Sequence, residues 1–362
     1  MSAQADRSWP STCSTKTTGG SYGHERTGLP ARRDHDRTRP GRTPRRVRRR
    51  NDGRPAGGHP AHLEMVTRQA LPEGVLSLHA LPADHHDGPW DHIITPPGLK
   101  ERLLSQALLT LRHGRRLATL AGLPHGLIVL AGPPGTGKTT LARGLAQRAA
   151  LAVAPEGATT YLEIDPHAFP SELLGESQRA VTRLLRDTIP ELAMRRPHTI
   201  VLIDEVESFA VARSAASMET NPVDVHRSTD AVLAGIDAIA AELPRVLFLT
   251  TTNFLTGVDE AFLSRADLVI GFELPDTPTI ASIIRHSLVE LAGLWPELAK
   301  LAADEDLHAR LAERCAGWDG RRVRKLVLAA LAQRLDVALD PGKLEADDLM
   351  AATVAPVGTS AP

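Results

Sequence analysis

Between residues 126 and 272, short apolar runs alternate with stretches whose apolar positions recur at helical spacing. Gly126–Ala131, Ala158–Asp165, Thr199–Ile203, Arg245–Thr250 and Leu268–Phe272 each read as a strand. Their apolar residues are continuous rather than alternating, as expected of strands covered on both faces. The intervening stretches beginning at Thr140, Glu176–Leu192 (with Val181, Leu184 and Leu185) and Thr229–Ala241 read as helices. Strands alternating with helices predict an α/β fold built on a mainly parallel sheet. Upstream, Leu103, Leu104, Ala107, Leu108 and Leu111 give Gly98–His113 one apolar face, and a second short helix is expected over Arg115–Leu120. Beyond Pro278 the strand pattern stops. Thr279–Leu294, Leu307–Cys315, Val323–Val337 and Ala346–Ala352 then predict a small domain of four helices.

The first 64 residues behave differently. They are nearly free of large apolar side chains and carry 14 Arg/Lys against six Asp/Glu, including the run Arg45-Arg46-Val47-Arg48-Arg49-Arg50. Such a segment cannot bury enough area to offset its ordering entropy. It is expected to be a disordered tail or the product of a start codon assigned too far upstream. The other 298 residues carry 28 Arg/Lys and 37 Asp/Glu, so a net charge of -1 conceals a basic tail on an acidic body. Residues 65–87 form a short extension in which Gly74–Leu81 is a short strand or an adaptor segment, and Asp84-His85-His86-Asp87 reads as a solvated turn rather than a metal site. The expected organisation is completed by a large domain over 88–275, a helical domain over 276–353 and a tail over 354–362. Cys13 and Cys315 are the only cysteines, which excludes a disulfide framework and a cysteine metal site. With no long apolar run and no secretory leader, a cytoplasmic protein without membrane contact is expected.

Chemistry enters at Gly132-Pro-Pro-Gly-Thr-Gly-Lys138-Thr139, a G-x-x-x-x-G-K-[ST] phosphate loop placed between a predicted strand and a predicted helix. Pro134, Gly135, Thr136, Gly137, Lys138, Thr139 and Thr140 are expected to wrap the phosphates of ATP. Lys138 would reach the β- and γ-phosphates, and the Thr139 hydroxyl would ligate Mg2+. The strand Thr199–Ile203 delivers Asp204 and Glu205 at its end, the first suited to hold Mg2+ and the second to activate a water. Asn253 ends the next strand and can contact the γ-phosphate or that water. Arg265 is a candidate for the γ-phosphate of a neighbouring subunit. Arg321, or its neighbour Arg322, opens a helix of the small domain and can reach back to the nucleotide. Ile93 or Ile94 precedes the nucleotide strand closely enough to touch the adenine, Ile94 being the expected contact.

These pieces together (GPPGTGKTTLARGLAQ, VLIDEVESFAVAR, FLTTTNFLTGVDEAFLSRADLVIGFELP and GWDGRRVRKL) resemble an AAA+ ATPase over about residues 88–353. Within that superfamily the chain is most similar to the thyroid-hormone-receptor-interactor-13/Pch2 family. The resemblance implies a parallel sheet sandwiched by helices with a helical lid, hydrolysis of ATP, and a homo-oligomeric ring, six-membered in the family. It also implies a HORMA-like protein partner, as in the compact bacterial members of anti-phage signalling systems. It matches Lys138 and Thr139 to the first nucleotide motif, Asp204 and Glu205 to the second, Asn253 to the first sensor, Arg265 to the arginine acting in trans and Arg321 to the second sensor. Leu173 and Leu174 match the first pore loop, where the family usually carries an aromatic residue, and Arg213–Arg227 resembles the second. A DNA-associated motor or a clamp-loader-like ATPase is the competing class. The acidic body, without a zinc or winged-helix module, argues against it, and only the basic tail would bind nucleic acid.

Overall fold

Six strands form one sheet in the order β1-β3-β4-β5-β2-β6. They are β1 (Val75–Leu81), β2 (Leu127–Ala131), β3 (Thr159–Ile164), β4 (His198–Ile203), β5 (Val246–Thr252) and β6 (Leu268–Gly271). The computed structural model describes residues 71–83, 90–119, 124–169, 176–208, 210 and 222–354. The expectations for residues 1–64, for Asp84–Asp87, for Leu173 and Leu174, for most of Arg213–Arg227 and for the final tail lie outside the described residues.

The five predicted strands are parallel to one another, and β1 joins them antiparallel at the β3 edge. Gly74–Leu81 is therefore a strand, and the sheet of the large domain begins ahead of the boundary expected at residue 88. Alternate residues of each strand enter different cores. Leu127, Val129, Leu162, Ile164, Val201 and Ile203 pack in one, and Ile128, Leu130, Tyr161, Ile200 and Leu202 in the other. This two-sided burial is the physical content of the continuous apolar runs.

On one face lie α1 (Leu99–Leu117) and α2 (Lys138–Val153), whose Leu103, Ala107, Leu111, Leu141 and Leu145 are fully buried. The two helices expected over 98–113 and 115–120 are one. Gly114, a poor helix former, sits inside it because a Cβ there would lie 1.6 Å from the Pro244 carbonyl oxygen. The opposite face carries α3 (Glu176–Arg183), a π-helical turn over Leu184–Thr188, α4 (Ile189–Ala193) and α5 (Pro222–Glu242). The single helix predicted over 176–192 is interrupted because Pro190, in the first turn of α4, has no N–H to donate backwards.

After β5, the short α6 (Glu260–Leu263) is capped by Asp259, whose side chain accepts from the Ala261 N–H. Phe262 drives this turn into the core with none of its surface exposed. Phe262→Ala is expected to lower stability by about 3–4 kcal/mol through the cavity it leaves, read as a lower midpoint in chemical denaturation.

The C-terminal helices are α7 (Thr277–Leu294), α8 (Ala299–Ala302), α9 (Glu305–Arg314), α10 (Gly320–Leu331), α11 (Leu335–Leu339) and α12 (Ala346–Ala352), packed about their own core. The helix predicted over 323–337 is split. Arg334 takes an extended backbone, and its Nε lies 3.1 Å from the Asp348 carboxylate. That ion pair is tertiary and leaves no trace in the local pattern. Among the described residues no helix is long and apolar enough to cross a membrane.

Candidate active site

The carboxyl ends of β2, β4 and β5 meet at one edge of the sheet, the usual place for a ligand in an open parallel sheet. Register puts them there. Ala131 pairs with Thr252, Ile203 pairs with Thr250, and the Gly132 N–H donates to the Thr252 carbonyl at 3.1 Å. The phosphate loop therefore starts beside Asn253 and one strand away from Asp204.

The loop turns through Gly132, Gly135 and Gly137, all with positive φ, and α2 begins at Lys138. The first turn of any helix leaves its N–H groups without intrahelical partners, so α2 presents donors and its positive end to the loop. Gly135 is required for a second reason: a Cβ there would lie 2.0 Å from the Asp319 carboxylate of the lid. Pro134 is exposed at the tip, and the Thr136 hydroxyl donates to the Pro133 carbonyl at 2.9 Å.

Lys138 is buried, and its ammonium spends its protons on the Gly132 carbonyl (2.7 Å), the Pro133 carbonyl (2.8 Å) and Asn253 Oδ1 (3.0 Å). Burial pushes its pKa below the ordinary lysine value, while Asp204, Glu207 and Glu205 pull the other way. The Thr139 hydroxyl donates to Asp204 Oδ1 at 2.7 Å, and the Thr251 hydroxyl donates to the same oxygen. Thr251 in turn accepts from the Glu205 N–H at 3.1 Å. Glu205 has φ +54°, a left-handed conformation that a non-glycine residue adopts only under tertiary constraint. Its Oε1 accepts from Asn253 Nδ2 at 2.9 Å, and its Oε2 lies 3.2 Å from His167 Nε2. The backbone of Asn253 is held too, its N–H donating to Glu207 Oε1 at 2.9 Å. Lys138, Thr139, Asp204, Glu205 and Asn253 thus form one connected polar network.

Beside this network a cleft of about 900 Å³ opens between the large domain and the lid. Ile93, Ile94, Gly137, Thr140, Ile283 and Arg321 are among its walls. Ile94 also packs against the lid core. The Arg321 N–H donates to the Gly135 carbonyl at 3.1 Å, joining lid to loop. Arg322 faces elsewhere, its guanidinium 3.7 Å from the centre of the Trp318 ring, so Arg321 is the arginine of this pair that borders the cleft. Asp319 caps α10 by accepting from the Arg322 N–H.

Arg265 is not part of this assembly. Two residues on, Asp267 accepts from the N–H groups of His125, Gly126 and Leu127, at the start of β2. The phosphate loop follows the other end of that strand, roughly 16 Å away at about 3.3 Å per residue. Arg265 instead grips Asp237 with Nε (2.6 Å) and Nη2 (2.8 Å) and donates Nη1 to the Ala261 carbonyl. The hydrogen bonds from Arg265 hold the Asp237 carboxyl below the usual range.

Residues 128–274 match the model of the ATPase family associated with various cellular activities (AAA). The chain is 42% identical to CD-NTase-associated protein 6 of Pseudomonas aeruginosa over 78% of its own length and 92% of the relative's. It is 32% identical to the pachytene checkpoint protein 2 homolog of Danio rerio, over 75% and 68% respectively. The chain belongs to the Trip13/Pch2 family of AAA ATPases. Solved structures agree on the fold. C. elegans PCH-2 superposes with a TM-score of 0.63 at 26% identity, covering 78% of this chain and 75% of that one. A chain of the E. coli MS115-1 HORMA:CdnC:Trip13 complex superposes with 0.61 at 19% identity, covering 78% and 95%.

Membership makes the chain a nucleotide-binding AAA ATPase, and the phosphate loop and lid cleft are the elements in which to look for the nucleotide. Two hard oxygen donors in contact, the Thr139 hydroxyl and the Asp204 carboxylate, suit Mg2+, which keeps most of its waters and takes few protein ligands. Among the described residues no cluster of three or more His, Cys, Asp or Glu could hold a metal by itself. Sequence reasoning missed Thr251, Glu207, His167 and Arg324. Arg324 borders the cleft and donates to the His92 carbonyl at 3.1 Å. Glu207 carried a signal, being two residues beyond Glu205 in the same acidic strand end; the others depend on register and packing.

Proposed function

We propose that this chain hydrolyses ATP and uses the energy to remodel a HORMA-domain partner, working as a ring of identical subunits, six by the family resemblance. The observation that carries the reading is the 42% identity to CD-NTase-associated protein 6 across 92% of that protein's length. It is supported by an unbroken set of polar residues at the strand ends. A Trip13 chain occurs with HORMA and CdnC proteins in the E. coli complex of similar fold. The setting that follows is bacterial anti-phage signalling, in which the ATPase restrains a second-messenger synthase by taking apart its HORMA complex.

In this reading Lys138 leaves its three oxygen partners for the β- and γ-phosphates. Thr139 and Asp204 hold Mg2+, which when bound neutralises phosphate charge. Glu205 accepts a proton from the attacking water. Asn253, already between Lys138 and Glu205, aligns water and γ-phosphate. Ile94 borders the adenine, and Arg321 reports the state of the nucleotide to the lid. Arg265 serves the site of the adjacent subunit. Substrate gripping falls to Leu173 and Leu174.

The test uses the full chain with a HORMA protein and a second-messenger synthase. ATP should dissociate a preformed HORMA–synthase complex, and the Glu205→Gln variant should hold the HORMA protein through gel filtration. An intact complex after incubation with ATP, together with no retention by the variant, would overturn the proposal.

A further inference from the structure

The Glu205 carboxylate has two side-chain anchors among the described residues, and they differ in kind. Asn253 Nδ2 holds Oε1, but Asn253 is itself held through Oδ1 by Lys138. Both residues are proposed phosphate ligands, so this anchor is disturbed whenever nucleotide enters. His167 holds Oε2, and among the described residues no hydrogen bond joins it to a proposed phosphate ligand. A carboxylate offers only acceptors, so the ring nitrogen facing it, Nε2, carries the hydrogen.

His167 is exposed, yet its backbone is tied in place. It sits in the turn Pro166–Ala168 directly after β3. Asp165 ties that turn, accepting from the His167 N–H through Oδ1 at 2.9 Å and from the Ala168 N–H through its carbonyl at 3.2 Å. Phe169 follows and is buried against Gly74, where a Cβ would lie 2.1 Å from the ring. The backbone on either side of His167 is held, and its exposed ring is aimed at a strained glutamate.

We propose that His167 is a positioning residue for ATP hydrolysis: it keeps the Glu205 carboxylate aimed while Lys138 and Asn253 turn to the phosphates. The proposal rests on the reading of Glu205 as the base. The imidazole donates one hydrogen bond and takes no proton from the water. Its contribution is orientation, and small displacements of a catalytic group are costly in rate.

Steady-state ATPase kinetics of the full chain with Mg-ATP, and equilibrium binding of a fluorescent ADP, test it. His167→Ala is expected to lower kcat about tenfold while KM and ADP affinity stay within about twofold of wild type. His167→Gln, whose amide nitrogen can stand near the place of Nε2, should recover most of the loss. Adding His167→Ala to Glu205→Gln should cost no further rate, because a support for an absent base has nothing left to support. A kcat for His167→Ala within about twofold of wild type overturns the proposal, as does a His167→Gln variant no better than alanine. If Glu205→Gln itself retained more than about a tenth of the wild-type rate, the assignment of the base would fall instead, so the two failures are distinguishable.

Discussion

Glu205→Gln is expected to reduce ATP turnover by about 10²- to 10⁴-fold while leaving nucleotide affinity nearly intact. The substitution keeps the length and shape of the side chain and removes its ability to accept a proton. It does not touch the backbone cradle of the phosphate loop, nor the Lys138, Thr139 and Asp204 side chains. The change within the site is defined by two contacts. Glu205 offers an acceptor oxygen to Asn253 Nδ2 and another to His167 Nε2. A glutamine has one acceptor oxygen, which can keep the Asn253 contact, while its NH2 can face His167 only if the imidazole accepts through Nε2 in its other neutral tautomer. Folding should be little affected, because the left-handed backbone at position 205 is retained. Glu205→Asp is a sharper comparison. It keeps the charge but draws the carboxylate back by one methylene, out of reach of both donors, and should also turn over slowly. Phosphate release under saturating Mg-ATP and titration with fluorescent ADP measure the two quantities. Glu205→Gln retaining more than about a tenth of the wild-type rate would exclude Glu205 as the base.

The residues of this site that could be read from the chain are those fixed by local pattern. A phosphate loop must follow a strand and open a helix, so Lys138 and Thr139 were legible from spacing alone. Asp204 ends a continuous apolar run, Asn253 follows the end of the next predicted strand, and the parallel sheet implied by the alternation brings strand ends together. The supporting residues were not legible. Thr251 sits in Thr250-Thr251-Thr252, and only the pairing of β4 with β5 shows which hydroxyl meets Asp204. His167 depends on a turn anchored by the burial of Phe169. Arg321 and Arg322 are adjacent on a helix and point about 100° apart; the Trp318 ring decides between them by taking Arg322. The same holds for the fold. The core strands follow from hydrophobic runs, whereas the single α1 and the break at Arg334 follow from contacts between distant segments.

Arg265→Ala is expected to lose ATPase activity about 10³-fold as a pure preparation, and to regain part of it when mixed with Glu205→Gln subunits. The reason is distance within one chain. Asp267 fixes this turn to the start of β2, while the phosphate loop follows its end, so Arg265 is out of reach of the site on its own subunit. If it acts on a γ-phosphate, that phosphate belongs to a neighbour in a head-to-tail ring. Each Arg265→Ala subunit keeps an intact Glu205, and each Glu205→Gln subunit keeps an intact Arg265. With random mixing at equal amounts and independent sites, about a quarter of the interfaces combine the two intact halves. The mixture should then approach about a quarter of the wild-type rate, far above either variant alone. The substitution also strips Asp237 of its two-point partner, so a loss of activity by the pure variant could reflect local damage to the turn. Mixing separates these effects: damage confined to a subunit cannot be repaired by a neighbour carrying a different lesion, whereas a missing arginine can. Arg265→Lys adds a second check. It preserves the charge but not the two-point grip on Asp237, and a guanidinium-specific role predicts that it rescues poorly. A mixture no more active than the sum of its separate components would remove Arg265 from the chemistry and leave its ion pair with Asp237 as a brace for the turn before β6.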